Sequence, residues 1–409
     1  MRHASRRHHH RTSSTVSTKP TGTSTTTAAA SGAGGGSSAP VLGTFGISTS
    51  AQMTQWAAAG GNAIVIPVYW QAAQPTALGP VSLSAAGNNG DNVVTEIAHA
   101  HAAGLAVYLE LDLQYPPQWV LDQVPGFVNQ AGTAYTSTNP GANVRDWIWS
   151  AAGRQAVASF VSRAIGDLKS VLGDVSGIRA GGGMYGELQF PIDGSSVNGQ
   201  PSYWGYGQAA QSGVGIASGE TATPLPGYVY GTGSSAQDAE WASWYLGSLA
   251  SWIHWYVLQL RGAGWNGPIY VLHPSFGLRT NWSPESAAYE QQLAQGTDPA
   301  TMMDAYDSVA NVWPWCTWAD DSEPFWTPGD TIDSDMAAWR KLLVLAQARG
   351  LASHILGENT GGGGSAAIQQ LMSGALASGY KGVFYLDYSY LVTNGLLGDL
   401  VSEFRAYAP

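Results

Sequence analysis

From residue 41 onwards the apolar positions follow two alternating patterns. Short runs rich in β-branched and aromatic residues predict strands, and longer segments with apolar residues three or four positions apart predict helices. The predicted strands are Val41 to Ile47, Asn62 to Trp70, Leu105 to Leu113, Gly177 to Gly183, Pro268 to Phe276, Val309 to Cys316, His354 to Gly357 and Gly382 to Tyr388. The predicted helices include Asn92 to Ala103, Arg154 to Leu172, Ala236 to Arg261, Met336 to Arg349 and Ala366 to Ser378. Eight strands that alternate with helices favour an α/β fold of the (β/α)8 barrel type with long βα loops, with a doubly wound sheet as the alternative.

Residues 1–40 differ from the rest of the chain in composition. The opening MRHASRRHHHRTSS is basic and His-rich, and Ser, Thr, Ala and Gly dominate as far as Pro40. A segment with so few large apolar residues cannot offset the entropy of ordering, so we expect a disordered tail and linker at 1–40 and one barrel domain at 41–409. Ser/Thr-rich linkers often tether extracellular modules, which leaves secretion open, although no apolar signal-peptide core follows the Arg pair.

Charge and cysteine content narrow the class of protein. The first 40 residues hold five basic and no acidic residues, which leaves 12 basic against 28 acidic residues, a net charge of −16, in the remainder. Such a body repels phosphate backbones, so we expect no nucleic-acid partner. The single cysteine, Cys316, cannot form an internal disulfide, and the sequence contains no Cys and His spacing typical of a metal site. No apolar run of roughly 18 residues predicts a membrane span.

Acidic and aromatic side chains cluster where the predicted strands end. In a (β/α)8 barrel these ends form the active face, so their joint clustering indicates a functional site, although any one of them could be a solvated loop residue. The residues concerned are Tyr69, Trp70 and Gln71, then Glu110, Asp112 and Trp119, then Glu187, then Trp318, Asp320, Asp321 and Glu323, then Glu358 and Asn359, and finally Asp387 and Tyr388. The chain has 17 Trp and 19 Tyr against 8 Phe, a usage that suits sugar-binding faces or a Trp-rich core.

One stretch combines small residues with a single acid. Residues 178–191 read IRAGGGMYGELQFP, and we expect the glycines to let the backbone pass close to a ligand. They deliver Glu187 among the apolar and aromatic groups Met184, Tyr185, Leu188 and Phe190. Such a setting raises the pKa of a carboxyl group and lets it hold a proton near neutral pH. The alternative interpretation is a solvated Glu at a glycine-rich strand end.

Three motifs resemble glycoside hydrolase family 14, the β-amylases. GMYGELQFP is similar to the family segment that carries the proton donor, YPPQWVLD from Tyr115 to Asp122 is similar to the segment after the third strand, and LGEN from Leu356 to Asn359 resembles the motif at the seventh. The segments Trp241 to Tyr245 and Val383 to Leu386 also match in character and order. The resemblance covers most of residues 60–405. It implies a (β/α)8 fold, hydrolysis or transfer of glycosyl groups of an oligo- or polysaccharide, Glu187 as the proton donor, and no cofactor.

The sequence departs from this family pattern at two places. At the sixth strand the resemblance places the general base in a Cys-x-Glu, where this chain has Trp318. The Gly-rich lid after the third strand is missing, because Gln114 runs straight into Tyr115. Asp320 or Asp321 could replace the base in an inverting mechanism. Alternatively Glu358 could be the nucleophile of a retaining mechanism, as in the family 42 β-galactosidases. We favour Glu358 over the two aspartates as the partner carboxylate of Glu187, and a retaining β-glycosidase of the family 42 type is an alternative function. A third hypothesis is a carbohydrate-binding barrel without activity.

These observations define the predicted site. The predicted catalytic residues are Glu187, Glu358, Asp320 and Asp321. The predicted substrate-contacting residues are Trp70, Glu110, Asp112, Trp119, Tyr185, Trp318, Asn359, Asp387 and Tyr388. We also expect the aromatic insertion at residues 192–236 to form a wall of the glycan site.

Overall fold

The computed structural model describes residues 39–77, 79, 81–83, 92–137, 142–192, 194–274, 277–321 and 327–408. The predicted tail and linker lies outside the described residues except for its last two positions, and so does Glu323.

Eight parallel strands close into a barrel. They are β1 (Val41–Thr44), β2 (Ala63–Tyr69), β3 (Ala106–Asp112), β4 (Val175–Ala180), β5 (Ile269–His273), β6 (Val312–Cys316), β7 (Leu356–Glu358) and β8 (Gly382–Tyr385). Each strand pairs with its neighbours in chain order, and β8 pairs with β1 from Val41↔Gly382 to Thr44↔Tyr385. The predicted (β/α)8 barrel is therefore confirmed. The doubly wound alternative is wrong, because the sheet has no open edge.

Helices alternate with these strands, as the periodicity predicts. They are α1 (Ser50–Ala59), α2 (Trp70–Ala73), α3 (Val93–Ala102), α4 (Gln118–Gln123), α5 (Ala151–Asp167), α6 (Gln208–Ser212), α7 (Ser235–Gly262), α8 (Ala287–Gln295), α9 (Pro299–Asp304), α10 (Ala338–Ala348), α11 (Gly364–Gln370), α12 (Tyr388–Thr393) and α13 (Leu397–Tyr407). A π-helical segment, Leu371–Leu376, continues α11. The long helix α7 begins with a capping box, in which Ser234 and Gln237 satisfy each other's backbone amides. No helix in the described part of the chain is long and apolar enough to cross a membrane.

Aromatic side chains fill the barrel interior. The alternation along each strand turns every second residue inwards, which brings Tyr108, Tyr270, Trp315 and Phe384 together. The Tyr108 ring lies 5.5 Å from Tyr270, 5.8 Å from Trp315 and 5.1 Å from Phe384, measured between centroids. The barrel is thus a packed core, and any site must lie above this layer, at the strand ends.

The insertion between β4 and α7 packs on α7. It contains an antiparallel hairpin, Ser196–Val197 with Gln200–Pro201, followed by α6. Tyr203 and Tyr230 are buried and lie 5.4 Å and 5.9 Å from the Trp241 ring of α7. The expected glycan wall is therefore not formed by these two rings, because α7 covers them. They belong to the Trp-rich core that the sequence left as the alternative.

Candidate active site

The loop after β4 folds back on itself and carries Glu187. The Gly182 amide donates to the Gly186 carbonyl at 3.1 Å, and the Gly183 amide donates to the Glu187 carbonyl at 2.8 Å. A Cβ on Gly181 would lie 2.2 Å from the Gly186 carbonyl oxygen, which no side chain can tolerate. The glycines therefore make room for the loop's own backbone, which corrects our expectation that they make room for a ligand.

Glu187 lies in this loop, beyond the end of β4 at Ala180, with its side chain partly buried. The Thr317 hydroxyl donates to its Oε1 and the Gln189 side-chain amide to its Oε2, each at 2.5 Å. Burial raises the pKa of Glu187 to about 8, and the negative charge of Glu358 contributes in the same direction, while the Thr317 hydrogen bond opposes both. Glu187 therefore holds a proton at neutral pH.

Glu358, the last residue of β7, is held by two donors from inside the barrel. Arg179 Nη2 donates to its Oε2 at 2.7 Å, and the indole Nε1 of Trp315 donates to the same oxygen at 2.8 Å. Burial raises the pKa of Glu358 to about 7 and the Glu110 charge adds to this, while Arg179 and the Trp315 hydrogen bond lower it. Its two donors stabilise the ionised carboxylate.

Arg179 connects this carboxylate to a second one. Its Nη1 donates to Glu110 Oε2 at 2.6 Å, and the guanidinium lies over the rings of Phe45 and Trp315 at 4.6 Å and 4.7 Å. The Arg179 side chain is 3% exposed, so this cation is sealed above the aromatic layer. The sequence analysis missed Arg179, although its place two residues after Gly177 puts it on the inward face of a buried strand, where a charge needs a carboxylate partner.

Asp112 and Glu110 at the end of β3 are both buried. Burial raises the pKa of Asp112 well above its ordinary value, with a further contribution from the Glu110 charge, and hydrogen bonding to Gln114 opposes the rise. Asp112 Oδ1 has no hydrogen-bond partner among the described residues. Glu110, predicted to contact substrate, instead pairs with Arg179. Its Oε1 packs against Gly186, where an added Cβ would lie only 1.7 Å from this oxygen.

The two predicted base candidates after β6 hold other parts of the structure. Asp320 accepts hydrogen bonds from the amide and the hydroxyl of Thr360 at 3.0 Å and 3.2 Å. Asp321 Oδ2 accepts from the Ala338 amide at 2.7 Å, at the first turn of α10, and its carbonyl accepts from the Trp339 indole. Asp320 thus ties the loop after β6 to the loop after β7, and Asp321 anchors α10.

Four of the predicted substrate-contacting residues serve packing or loop structure. Trp70 is fully buried and stacks on Phe160 with centroids 4.8 Å apart, so it offers no face to a sugar. Tyr388 is buried and donates to Gln55 at 2.7 Å. Asn359 is buried, donates to the Gly362 carbonyl and accepts from the Leu386 amide, while Asp387 caps α12 through the Tyr390 amide. The predicted substrate contacts of Trp70 and Tyr388 are corrected accordingly.

Three predicted aromatic residues keep exposed surface. Trp119 is half-buried and donates from Nε1 to the Gln74 carbonyl at 3.1 Å, and Trp318 is half-buried. Tyr185, two residues before Glu187, is 54% exposed and has a φ of 60°, a left-handed conformation that is uncommon for a residue with a side chain. The exposed Tyr185 ring is therefore an apolar surface close to Glu187 in sequence.

The described residues contain no group of three His, Cys, Asp or Glu side chains that could hold a metal ion. Cys316 is a free, buried thiol whose pKa burial raises, so it is not a reactive thiolate.

The fold and the site together define a (β/α)8 barrel with a carboxyl cluster at the C-terminal ends of its strands, where barrel enzymes have their active sites. The catalytic domain of β-amylase from Paenibacillus polymyxa has the same fold, with a TM-score of 0.64 and 17% identity over 90% of this chain and 97% of that chain. The β-galactosidase from Bacillus circulans sp. alkalophilus has a TM-score of 0.56 and 10% identity over 90% of this chain and 56% of that chain. The β-galactosidase from Rahnella sp. R3 has a TM-score of 0.54 and 12% identity over 91% of this chain and 57% of that chain.

This chain thus spans a little over half the length of the two β-galactosidases. No model of a protein family and no curated protein matches the sequence. At these identities the likeness establishes the shared fold.

Proposed function

We propose that this protein is a glycoside hydrolase in which Glu187 is the proton donor and Glu358 its partner carboxylate. The observation that carries the proposal is the pair itself: a protonated Glu187 and a Glu358 held by Arg179 and Trp315 at the same end of the barrel. The two groups are close enough for the Glu358 charge to raise the pKa of Glu187. Glycosidic bond cleavage requires an acid and a second carboxylate of this kind.

The chemistry follows from these protonation states. Glu187 gives its proton to the glycosidic oxygen as the bond to the anomeric carbon breaks, and Glu358 stabilises the positive charge that develops on the sugar. In a retaining reaction Glu358 bonds to the anomeric carbon, and Glu187, now ionised, takes a proton from the water that releases the sugar. In an inverting reaction Glu358 takes the proton from that water directly.

Glu358 suits the partner role better than Asp320 or Asp321. Both aspartates are engaged by backbone amides of neighbouring loops and helices, at Thr360 and Ala338 respectively. The substitutions Asp320→Asn and Asp321→Asn are the matched controls: each should leave kcat within about tenfold of the wild type, whereas Glu358→Gln should lower kcat by about 10²–10⁴-fold. If Glu358→Gln retains a near-normal kcat, Glu358 is not the partner carboxylate, and Asp320 or Asp321 becomes the candidate base.

The substrate we propose is an oligo- or polysaccharide of the β-amylase type. It is supported by the sequence motifs GELQFP and PQWVLD and by a solved β-amylase domain, which this fold matches over almost the whole length of that domain.

The test is a digest of maltoheptaose and of an aryl β-galactoside by wild type, Glu187→Gln and Glu358→Gln, with proton NMR of each new reducing end. We expect the wild type to cleave maltoheptaose, and we expect the rate of cleavage to fall by about 10²–10⁴-fold in Glu187→Gln. Near-normal turnover by Glu187→Gln would overturn the proposal.

A carbohydrate-binding barrel without hydrolysis is the second function we consider. It is favoured by Trp318, which stands at the position where the family resemblance places a carboxylate. This alternative predicts saturable binding of maltoheptaose by calorimetry together with no new reducing ends on any glycan of a broad panel.

A further inference from the structure

One buried cation serves two carboxylates at the floor of the proposed site. Arg179 Nη1 bonds to Glu110 at 2.6 Å, and Nη2 bonds to Glu358 at 2.7 Å. The rings of Phe45 and Trp315 lie against the guanidinium at 4.6 Å and 4.7 Å, so the side chain cannot turn towards one partner and away from the other. Because a guanidinium carries a single positive charge, each carboxylate is balanced only in part.

We propose that Glu110 competes with Glu358 for the charge of Arg179 and thereby sets the pH range in which Glu358 is ionised. Glu110 and Arg179 are positioning residues in this account, since neither has to touch the substrate. The inference rests on the proposed function for its consequence on turnover, but the ionisation itself can be measured without turnover.

The charges that face Glu358 come from several elements of the barrel. Arg179 on β4 is the cation, Glu110 on β3 is a neighbouring anion, and Glu187 in the loop after β4 is the third titratable group. Trp315 on β6 contributes a neutral N–H, and the residue paired with Glu358 on β8 is Phe384, which does not titrate. Asp112, also at the end of β3, is a further buried carboxyl that interacts with the charge of Arg179. The guanidinium nitrogens, however, are hydrogen-bonded to Glu110 and Glu358. Within the described residues, Glu110 is therefore the anion bonded to Arg179 whose removal changes the balance without removing a proposed catalytic group.

Glu110 is placed for charge rather than for substrate contact. Its side chain is 11% exposed, and its free oxygen lies against the Gly186 backbone of the Glu187 loop. Burying a second carboxylate beside Glu358 is costly unless Arg179 is shared with it. A neutral group of the same shape at position 110 would keep the packing and the hydrogen bond from Nη1 while it returns the full charge of Arg179 to Glu358.

The deciding variant is therefore Glu110→Gln. The amide oxygen of Gln can still accept from Arg179 Nη1, so we expect the fold to persist, as circular dichroism will verify. The ionisation midpoint of Glu358 should fall by about one pH unit, the scale on which one neighbouring charge acts. The Arg179→Gln variant should move the midpoint in the opposite direction, because it leaves both carboxylates without their cation.

The measurement is a ¹³C NMR titration of the full chain labelled at the Glu carboxyl carbons, with Glu358 assigned by its loss in Glu358→Gln. The exposed Glu240 provides the control, since Glu240→Gln makes the same substitution far from the cluster in sequence and should leave the midpoint in place. A midpoint in Glu110→Gln that stays at the wild-type value or rises would overturn the inference, whether or not Arg179→Gln folds.

The two proposals fail in different ways. A wild-type protein that cleaves no glycan contradicts the proposed function, while the titration still decides the role of Glu110. If glycan cleavage is present and its pH dependence follows Glu358, the acidic limb of kcat/KM in Glu110→Gln should move to lower pH together with the NMR midpoint. An unmoved limb and midpoint would contradict only the role of Glu110.

Discussion

At the scale of single residues, Glu187 and Glu358 share a desolvated site but have different partners. Glu187 receives hydrogen bonds from neutral donors, Thr317 and Gln189. Glu358 receives one from a guanidinium and one from an indole. A cationic donor stabilises a carboxylate more than neutral donors do, so the environment favours the protonated form of Glu187 and the ionised form of Glu358.

This division predicts a bell-shaped pH profile. Since the pKa of Glu358 is about 7 and that of Glu187 about 8, kcat/KM should fall below pH 7 as Glu358 gains a proton and fall above pH 8 as Glu187 loses one. Initial rates at substrate concentrations well below KM, measured from pH 5 to pH 10, give this profile. An activity that rises steadily from pH 7 down to pH 5 would contradict the assignment.

The Thr317 hydroxyl gives a second prediction at this scale. Its hydrogen bond lowers the pKa of Glu187, so Thr317→Val, which keeps the shape but removes the hydroxyl, should move the alkaline limb of kcat/KM to higher pH. Thr317→Ser retains the hydroxyl and is the matched control. If both variants keep the wild-type limb, the hydrogen bond does not act on Glu187.

Sequence reasoning singled out Glu187 from its glycine-rich stretch and the family resemblance, and Glu358 from the LGEN motif at the end of a predicted strand; the roles of both stay predictions. It did not locate Arg179, Thr317 or Gln189, because their contacts depend on how the barrel closes. Arg179 lies 69 residues from Glu110 and 179 residues from Glu358 along the chain, and only the register of three strands brings them together. Asp321 was predicted as a candidate base, but its carboxylate accepts from the Ala338 amide at the start of α10. A carboxylate at a strand end suits a helix N-terminus as well as an active site, and sequence alone does not separate the two.

At the scale of elements, the loop after β4 positions Glu187, the proposed proton donor. The sequence predicted a strand as far as Gly183, but β4 ends at Ala180, because Gly182 and Gly183 donate to their own loop rather than to a neighbouring strand. The sequence analysis did not name the helices α1, α8 and α13, nor the short helices α2, α4, α6, α9 and α12. In α1 only Met53 and Trp56 are buried, which leaves a weak periodic signal in an Ala-rich segment.

The backbone contact in this loop can be tested with one methyl group. Gly181→Ala places a Cβ 2.2 Å from the Gly186 carbonyl oxygen, so the loop must shift and take Glu187 with it. A displacement of about 1 Å costs on the order of 100-fold in kcat/KM, while the melting temperature should change little because the strands are untouched. Gly166→Ala on α5 has nothing within 4 Å and is the control. Equal activities of the two variants would show that the contact does not position Glu187.

At the scale of the whole molecule, the buried carboxyls make stability depend on pH. Burial, the largest cause in each case, raises the pKa of Glu187 to about 8 and those of Glu358 and Asp146 to about 7, from ordinary values of 4.5, 4.5 and 3.8. Between their ordinary and their raised pKa values, these three carboxyls bind more protons in the folded than in the unfolded chain, so they lower the free energy of unfolding as pH rises. The buried His273, whose pKa burial lowers from 6.5 to about 3, acts in the opposite direction below about pH 6.5, but it is one group against three.

We accordingly expect the melting temperature to fall from pH 5 to pH 8.5. Thermal unfolding followed by circular dichroism measures it, and the Glu187→Gln variant should show a shallower fall, because Gln carries no proton to release. A melting temperature that rises over this range would mean that these carboxyls are ionised in the folded state.

The fold of the whole molecule was predictable because eight strands that alternate with helices favour a barrel; only the pairing of β8 with β1 excludes the doubly wound alternative. Its substrate was not, since loops decide which sugar fits, and several aromatic residues that suggested a sugar-binding face pack the core instead. Tyr203, Tyr230 and Trp70 have the composition of a glycan site but are buried against neighbouring elements. Burial of this kind depends on long-range packing, which sequence periodicity does not reveal.

The most direct test of the central claim is the leaving-group dependence of Glu187→Gln. On the sugar that the wild type cleaves, kcat/KM is measured for the unactivated glycan and for the dinitrophenyl glycoside, whose leaving group departs without a proton. If Glu187 is the proton donor, Glu187→Gln should lose about 10²–10⁴-fold on the glycan and much less on the dinitrophenyl glycoside. Equal losses on both substrates, or near-normal cleavage of the glycan, would contradict it.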